Sequence, residues 1–304
     1  MFSKKLLFSV LLSLISLIYV YPQDEDTTEV EDTAKVENES WPNHHHYDFT
    51  YNVFNEFSGN PTITANYGFS KTSLKDFNES FVKPNMVELK LGYTHQRSTN
   101  EEDNILKYNY KYFYVSNISV DLANKSTGSA DLKTDLWRFG FGRSTGLGYK
   151  LGSAAIIPYH SYSFEWSKLR MEDTPLNTDD KNMTDLFNQS FRFGNSSEGG
   201  IKFQFIPNMS VDASYERSVI FPRHIFWAWT GGVVVEAAGQ WAIDSFVNEI
   251  LDSSPYAAPI VNFVLKNALS YGMYELRHDK MNWPFNTVAP LSYDQFKVGV
   301  TFVF

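Results

Sequence analysis

His160 is followed by Ser161 and, two residues later, by Ser163, and such residue types could form a nucleophile and its base. A histidine activates a serine only if the imidazole reaches the hydroxyl on the same side of the chain. The aromatic residues Tyr162 and Phe164 alternate with these serines, which predicts a strand whose neighbouring side chains point to opposite faces. His160 stands at odd spacing from both serines, so we predict no catalytic pair within this strand.

The other residues that could take part in catalysis or metal binding have no spacing that defines a site. Asp279 stands beside His278, and His95 is isolated, so nothing in the sequence fixes a geometry for them. His44 and His46 would share one face of an extended segment, but a third metal ligand is missing. The formal net charge of −9 argues against nucleic acid partners. We therefore predict no catalytic residue, no metal site and no cofactor.

Charged residues recur on the polar faces of alternating segments. If these faces line an interior, basic and acidic groups are nearly balanced there, whereas a selective pore favours one sign. Buried charges need partners, so a balanced set predicts a plugged interior rather than an open one. The candidates are Lys90, Lys107, Lys111, Arg138, Lys150, Lys202 and Lys297, with Asp48, Glu56, Glu88, Glu165, Asp212 and Glu216.

The elements that must position these residues are strands. Apolar and polar residues alternate with period two in many short segments, which predicts antiparallel strands that are apolar on one side. A soluble β-sandwich would be equally periodic. The predicted strands are residues 47–57, 62–70, 87–94, 107–114, 137–142, 147–152, 156–167, 201–205, 211–216 and 295–304.

The last segment, residues 295–304 (QFKVGVTFVF), alternates strictly and ends the sequence on an aromatic residue. It resembles the closing strand of bacterial outer-membrane β-barrel proteins. The resemblance implies an all-β antiparallel transmembrane barrel of about ten strands, with eight or twelve as alternatives. It also implies contact with outer-membrane lipids, and recognition by the barrel-assembly machinery through Phe296, Phe302 and Phe304.

The first residues agree with export to that membrane. Lys4 and Lys5 precede about fifteen apolar residues, a length that fits a secretory signal but not a membrane-spanning helix. Residues 24–46 are rich in acidic groups and too poor in apolar ones to offset the entropy of ordering. We predict a signal peptide at residues 1–23, a disordered acidic tail at 24–46 and a barrel at 47–304.

Between the last two strands, residues 219–293, the apolar period changes to three and four, which predicts two helices at 232–251 and 259–276. Two helices are too wide for a ten-stranded interior. We expect a hairpin that caps the outer mouth or lies in the membrane interface, with its apolar stripe on the barrel rim. That stripe is Val261, Val264, Leu265, Ala268, Leu269, Met273 and Leu276, opposed by Asn262, Lys266, Asn267 and Ser270.

A periplasmic end for residue 304 places turns 152–153 and 207–208 in the periplasm, and the long connections 171–197 and 219–293 outside. Links 71–84 and 117–134 then become unusually long periplasmic connections. We expect a non-enzymatic structural, surface or binding barrel, with an envelope protein as a candidate partner of the hairpin. A narrow porin-like channel is the alternative. A lipid-modifying enzyme is third, because the sequence assembles no Ser, His and Asn set.

Overall fold

The computed structural model describes residues 59–78, 80–99, 104–123, 132–171, 178–223 and 225–304. The predicted signal peptide, the acidic tail and the strand at residues 47–57 lie outside the described residues. The same holds for two candidate interior charges, Asp48 and Glu56.

Eight antiparallel strands form a closed barrel in which each strand pairs with the next and β1 pairs with β8. The prediction of an all-β antiparallel barrel is confirmed, whereas the count of about ten is wrong and the alternative of eight holds. The strands are β1 (Asn60–Leu74), β2 (Asn85–Ser98), β3 (Ile105–Ser119), β4 (Thr134–Leu151), β5 (Ala154–Met171), β6 (Phe191–Ile206), β7 (Met209–Ile220) and β8 (Leu291–Val303).

The error in the count lies partly in β4, which contains both predicted strands 137–142 and 147–152. In its middle the outward face carries Arg143 and Thr145 instead of apolar residues, while glycine and serine alternate on the inward face. The apolar pattern therefore stops although the hydrogen-bonded ladder continues. Arg143 donates from Nε to Oδ1 of Asn109 on β3 at 2.9 Å, which satisfies this polar stretch.

The connections divide by length between the two barrel ends. Connections 98–105, 151–154 and 206–209 are short and lie at the end where β8 finishes, here called the short-turn end. Connections 74–85, 119–134, 171–191 and 220–291 lie at the opposite, long-loop end. The sequence pattern divided β4 into two strands, which shifted the earlier connections to the wrong barrel end. With β4 as one strand, links 71–84 and 117–134 lie at the long-loop end, and the prediction that they share a side with turn 152–153 is wrong.

The wall is apolar outside and polar inside, the reverse of a soluble protein. Inward positions carry threonine, serine and charged residues, which are buried. A closed antiparallel wall of this kind satisfies its own backbone hydrogen bonds and presents an apolar surface to lipid. Outward-facing exposed residues include Ile63, Phe69, Val87, Leu89, Leu91, Phe113, Val115, Trp137, Phe139, Phe141, Phe203, Phe296, Val298 and Phe302.

Within the described residues three α-helices accompany the strands: α1 (Thr178–Asp185), α2 (Phe226–Ser253) and α3 (Ala258–Asp279). The predicted hairpin between the last two strands is present as α2 and α3, with Pro259 in the first turn of α3. Among the described residues, no helix combines the length and the apolar character needed to cross a membrane.

The hairpin lies along the outside of the wall, where α3 packs on β4, β5, β6 and β7. It starts at the long-loop end, where Trp229 stacks edge-on against Phe193 with ring centroids 5.3 Å apart. It turns back near the short-turn end, where Tyr149 donates from its hydroxyl to the carbonyl of Tyr256 at 2.7 Å. The expected position on the mouth or rim is wrong, because the helices run beside the strands.

Candidate functional site

The barrel interior holds a network of buried charged residues that alternate along six of the eight strands. Each strand contributes them because every second side chain points inward, which places charges from several strands at one level. The network consists of the cations Lys90, Arg138, Lys202 and Lys297 and the carboxylates Glu88, Glu165, Glu198, Asp212 and Glu216.

Lys297 is one centre of this network. Its Nζ atom lies 3.1 Å from Oε1 of Glu88 and 2.7 Å from Oε2 of Glu198, and it also contacts Glu216. Oxygens of these three carboxylates lie within 4.8 Å of one another, a spacing at which a metal ion could bind. The ammonium group already occupies the point where such an ion would sit, so the cluster is an ion-pair centre.

Arg138 is the second centre. Its Nη1 atom donates to Oε1 of Glu216 at 2.7 Å and to Oε2 of Glu165 at 3.2 Å. Its Nη2 atom donates to Oε1 of Gln295 at 3.2 Å and to Oγ of Ser116 at 3.4 Å. Since these partners come from β3, β5, β7 and β8, one guanidinium group links strands around the barrel.

Tyrosines of β3 fill the space beside the charges. Tyr114 donates its hydroxyl to Oε2 of Glu165 at 2.7 Å. Tyr159, from β5, donates to Oε1 of Glu198 at 2.7 Å. The Nζ atom of Lys90 lies 4.7 Å from the centroid of the Tyr112 ring, within range of a cation–π contact. Polar and aromatic groups therefore fill the middle of the barrel together.

Towards the long-loop end an apolar cluster follows the charges. It includes Phe187, which follows α1, so the connection between β5 and β6 also contributes to it. Packed side chains and ion pairs thus occupy successive levels of the interior, as in small barrels filled by their own residues. The cluster comprises Met86, Ile118, Leu132, Leu136, Leu169, Met171, Phe187, Ile220, Leu291 and Tyr293.

Most of the predicted interior charges lie in this network. The structure places these side chains inside and buried: Glu88, Lys90, Arg138, Glu165, Lys202, Asp212, Glu216 and Lys297. Lys150 has the inward register but is exposed at the short-turn end. Glu198 was missed because the predicted strand began at residue 201, although Ser196, Glu198 and Lys202 share the inward register.

The prediction that Lys107 and Lys111 face the interior is wrong. Both lie on the outward face of β3, which they share with the exposed residues Phe113 and Val115. The row from Tyr108 to Tyr114 faces inward instead, where all four side chains are buried and the hydroxyl groups of Tyr112 and Tyr114 bond to Ser161 and Glu165. Tyrosine is amphipathic, so a tyrosine row against lysines does not identify the lipid side by itself.

The residues of the predicted insertion signal lie on the lipid side of the wall. Phe296 and Phe302 project outward from β8, and Phe304 follows the strand at the short-turn end with most of its side chain exposed. Their recognition by the assembly machinery stays a prediction.

A second polar site lies outside the barrel, between the wall and the hairpin. We call it the polar seam, formed by outward residues of β5, β6 and β7 and by the barrel-facing sides of α2 and α3. Arg277 of α3 and Glu236 of α2 form a buried ion pair in it, with Nη1 and Oε2 at 2.7 Å. Its members are His160, Tyr162, Asn195, Ser197, Arg217, Glu236, Gln240, Asn262, Lys266, Asn267, Ser270 and Arg277.

Within the seam a chain of hydrogen bonds joins Ser270, His160 and Asn267. Oγ of Ser270 lies 3.3 Å from Nε2 of His160, and Nδ1 of His160 lies 3.3 Å from Oδ1 of Asn267. Asn267 donates from Nδ2 to the carbonyl of Phe263 at 2.8 Å, so its Oδ1 faces the imidazole as an acceptor. The imidazole then carries its proton on Nδ1 and accepts at Nε2 from the Ser270 hydroxyl.

Two further features shape this chain. Gln240 of α2 donates from Nε2 to Oγ of Ser270 at 3.1 Å, which directs the serine proton towards His160. Gly199 of β6 lets Asn267 approach, because a Cβ atom at this position would lie 2.3 Å from Oδ1 of Asn267. The sequence did not bring these residues together, since they come from a strand and a helix about one hundred residues apart.

Beside Ser270 the seam contains a small cavity of about 10 Å³, roughly the space of one water molecule. Its lining includes Tyr162, Asn195, Arg217, Ser270 and Arg277, so polar and cationic groups predominate. Arg217 also lies over the ring of Tyr271, with its guanidinium carbon 4.6 Å from the centroid.

The wall defines the class of protein: a closed antiparallel barrel with an apolar exterior, the architecture of bacterial outer-membrane β-barrel proteins. The predicted resemblance and the predicted location in a bacterial outer membrane agree with it. No protein-family model matches the sequence. No curated protein matches it significantly either.

Among solved structures the chain is similar to the following bacterial proteins. Neisserial surface protein A (NspA) is 12% identical, with 80% of this chain and 97% of NspA covered at a TM-score of 0.38. Ail, the attachment invasion locus protein of Yersinia pestis, is 9% identical, with 81% and 99% covered at 0.33. The outer membrane protein OprG of Pseudomonas aeruginosa is 9% identical, with 82% and 97% covered at 0.27. Such low scores transfer no function.

Proposed function

We propose that this protein is a non-conducting outer-membrane barrel with a structural or surface role, whose wall anchors the long loops and the helical hairpin. The observation that carries the proposal is the pairing of Arg138 with Glu216 and Glu165 across the interior. Groups that bind each other at this distance leave no room for a hydrated ion between them.

The energy of the interior ion pairs favours a barrel whose interior stays blocked to solutes. Separating a buried ion pair leaves a charge without its partner, which costs about 3–5 kcal/mol. A conducting pore needs a continuous water-filled path, and a selective one has a lining of one dominant sign. The interior network mixes both signs at each level, so it stabilises the wall rather than guiding solutes.

The test is single-channel recording with the purified full-length protein in planar phosphatidylcholine bilayers, with insertion verified by flotation of the same preparation with vesicles. We expect no discrete conductance steps from inserted protein. Reproducible steps of constant size would contradict the proposal and support the narrow channel. A larger step size in Arg138→Ala, with the step size of Lys111→Ala unchanged, would locate the path inside the barrel.

A second candidate, hydrolysis of lipid esters, is favoured by the Ser270–His160–Asn267 chain between the wall and the hairpin. The cavity beside Ser270 has a volume of about 10 Å³, so an ester reaches this serine only if the hairpin moves away from the wall. Oγ of Ser270 attacks the ester carbonyl carbon while its proton passes to Nε2 of His160. The imidazolium then gives that proton to the departing alcohol oxygen. Water releases the acyl group in a second step of the same kind, and Asn267 keeps the imidazole oriented.

This candidate is tested by measuring fatty acid release from phosphatidylethanolamine and phosphatidylglycerol vesicles that contain the protein. Activity that disappears in Ser270→Ala and persists in Ser245→Ala, an exposed serine of α2, would support it. Absence of release by the wild type, or equal release by Ser270→Ala, would reject it. Neither result affects the conductance experiment, so the two functions are judged separately.

A further inference from the structure

The two faces of α3 are inverted relative to a helix on a water-soluble protein. Its buried side carries polar and charged residues, among them Asn262, Lys266, Ser270 and Arg277. Its exposed side is apolar: Ile260 is 58% exposed and Val264 is 53% exposed. In water the apolar stripe would face the protein and the polar one the solvent.

Helix α2 has the same inversion over most of its length. Trp227, Val234 and Trp241 are 79%, 60% and 73% exposed, while Glu236 is buried against the wall side. Leaving such large apolar side chains in water costs about 1.5–3 kcal/mol each relative to burial. Contiguous exposed apolar surface on this scale indicates a contact with an apolar medium or partner.

The charged residues of the hairpin are arranged for such a medium. Glu236 and Arg277 pair inside the seam at 2.7 Å, and Asp244 pairs with Lys266 at 2.6 Å. The exposed carboxylates of α2 are Asp244, whose side chain is 53% exposed although it is paired, and Glu249 and Asp252 nearer the short-turn end. The charges beside the apolar stretch are therefore paired, and the unpaired exposed carboxylates of α2 lie in its last turns.

The dimensions agree with a bilayer. Trp227 and Phe246 bound the exposed apolar stretch of α2, and nineteen residues at about 1.5 Å each give about 28 Å. The apolar band of outer-membrane barrels is about 25 Å tall. The hairpin also covers part of the same wall whose uncovered sectors form the lipid-facing band, so its outer face continues that band.

We infer that the α2–α3 hairpin lies within the lipid bilayer beside the barrel and that its exposed face contacts lipid acyl chains. Neither helix is apolar enough to cross a membrane by itself, and each needs the wall and the other helix to cover its polar side. Strands β5–β7 contact the hairpin through the polar seam instead of contacting lipid. The outer face of the two helices is then the lipid-facing surface of this sector. This goes beyond the structural role proposed above, because it places an α-helical element at membrane depth on the outside of a barrel.

The experiment uses the absence of cysteine from the sequence, which allows single nitroxide labels on introduced cysteines. Val264→Cys and Val235→Cys report on the hairpin, Val298→Cys on the lipid-facing wall and Asp252→Cys on the aqueous end. The full chain is reconstituted in phosphatidylcholine vesicles. Collision rates with oxygen, which partitions into lipid, and with a water-soluble nickel complex are then measured for each label.

We expect labels at residues 264 and 235 to match residue 298, with oxygen collisions at least several-fold above nickel collisions, and residue 252 to show the reverse. Nickel accessibility at residue 264 equal to that at residue 252 would overturn the inference. Low collision rates with both reagents would also overturn it, because a second protein copy would then cover the face. Heat-modified migration of each variant verifies a folded barrel before labelling.

Discussion

The ammonium group of Lys297 lies 2.7 Å from the carboxylate of Glu198, and both side chains are buried in the barrel interior. Glu88 and Glu216 approach the same ammonium group. One cation therefore contacts three carboxylates drawn from β2, β6 and β7, and Lys90 and Arg138 pair with the same carboxylates from other sides. The arrangement makes the closing strand β8 part of the interior network as well as of the lipid-facing surface.

Replacing Lys297 by Met should strongly destabilise the barrel. The change keeps most of the side-chain volume but removes the cation between three buried carboxylates, so that Glu198 keeps only Lys90 and Glu216 keeps only Arg138. Removing one partner of a buried pair costs about 3–5 kcal/mol. The free energy of unfolding is measured by urea titration in lipid vesicles with tryptophan fluorescence. Lys150→Met, at the exposed short-turn end, is the control and should change the midpoint little. Equal midpoints for both variants would contradict the proposed role of Lys297.

Replacing Tyr114 by Phe should cost about 1–3 kcal/mol, because Glu165 loses a buried hydrogen-bond donor at 2.7 Å. The control is Tyr271→Phe, since Tyr271 is exposed on α3 and its hydroxyl is not part of the interior. Unfolding midpoints of both variants are compared in the same vesicles. If the tyrosine row faced lipid, loss of the Tyr114 hydroxyl would be neutral or stabilising.

The sequence pattern was ambiguous about which face of β3 points into the barrel. Alternation identified β3, but it could not decide whether Tyr114 or Lys111 faces the interior, since tyrosine suits both sides and a lysine stem can follow an apolar surface. The structure shows that Tyr114 faces the interior, because its hydroxyl bonds there to Glu165 on β5. Contacts such as the one between Tyr114 and Glu165 join residues about fifty positions apart, which no local pattern records.

The hairpin shows a second limit of sequence patterns. Period three to four predicted both helices, and the stripe containing Val264 and Leu276 was correctly separated from the one containing Lys266 and Ser270. The pattern does not say which medium surrounds the helix, so the apolar stripe was assigned to the protein. In the structure the polar stripe faces the wall, because the wall itself carries His160 and Tyr162 there.

Replacing Gly199 by Val should loosen the hairpin without opening the barrel. Its Cβ atom would meet Oδ1 of Asn267 at 2.3 Å, and the helix must move to relieve the contact. Hydrogen exchange of α3 amides should accelerate while exchange in β1–β3 stays unchanged. Gly272→Ala is the matched control, because nothing lies within 4 Å of a Cβ atom there. Unchanged exchange in α3 of Gly199→Val would argue against close docking at this position.

Reversing the ion pair of the seam tests how the hairpin is held. Arg277→Glu places two carboxylates together where Nη1 of Arg277 now lies 2.7 Å from Oε2 of Glu236, so α3 should detach and protease cleavage between α2 and α3 should increase. The double variant Arg277→Glu with Glu236→Arg restores opposite charges and should recover most of the protection.

The control for this experiment is the exposed pair between Lys75 and Asp279, at 2.7 Å. The ammonium group of Lys75 lowers the pKa of Asp279 by hydrogen bonding and charge attraction, but water screens both groups. Lys75→Glu should therefore leave cleavage unchanged. If Arg277→Glu also leaves it unchanged, or if the double variant is cleaved as fast as the single one, the pair does not hold the hairpin, and the contacts of α3 with His160 and of Trp229 with Phe193 remain to do so.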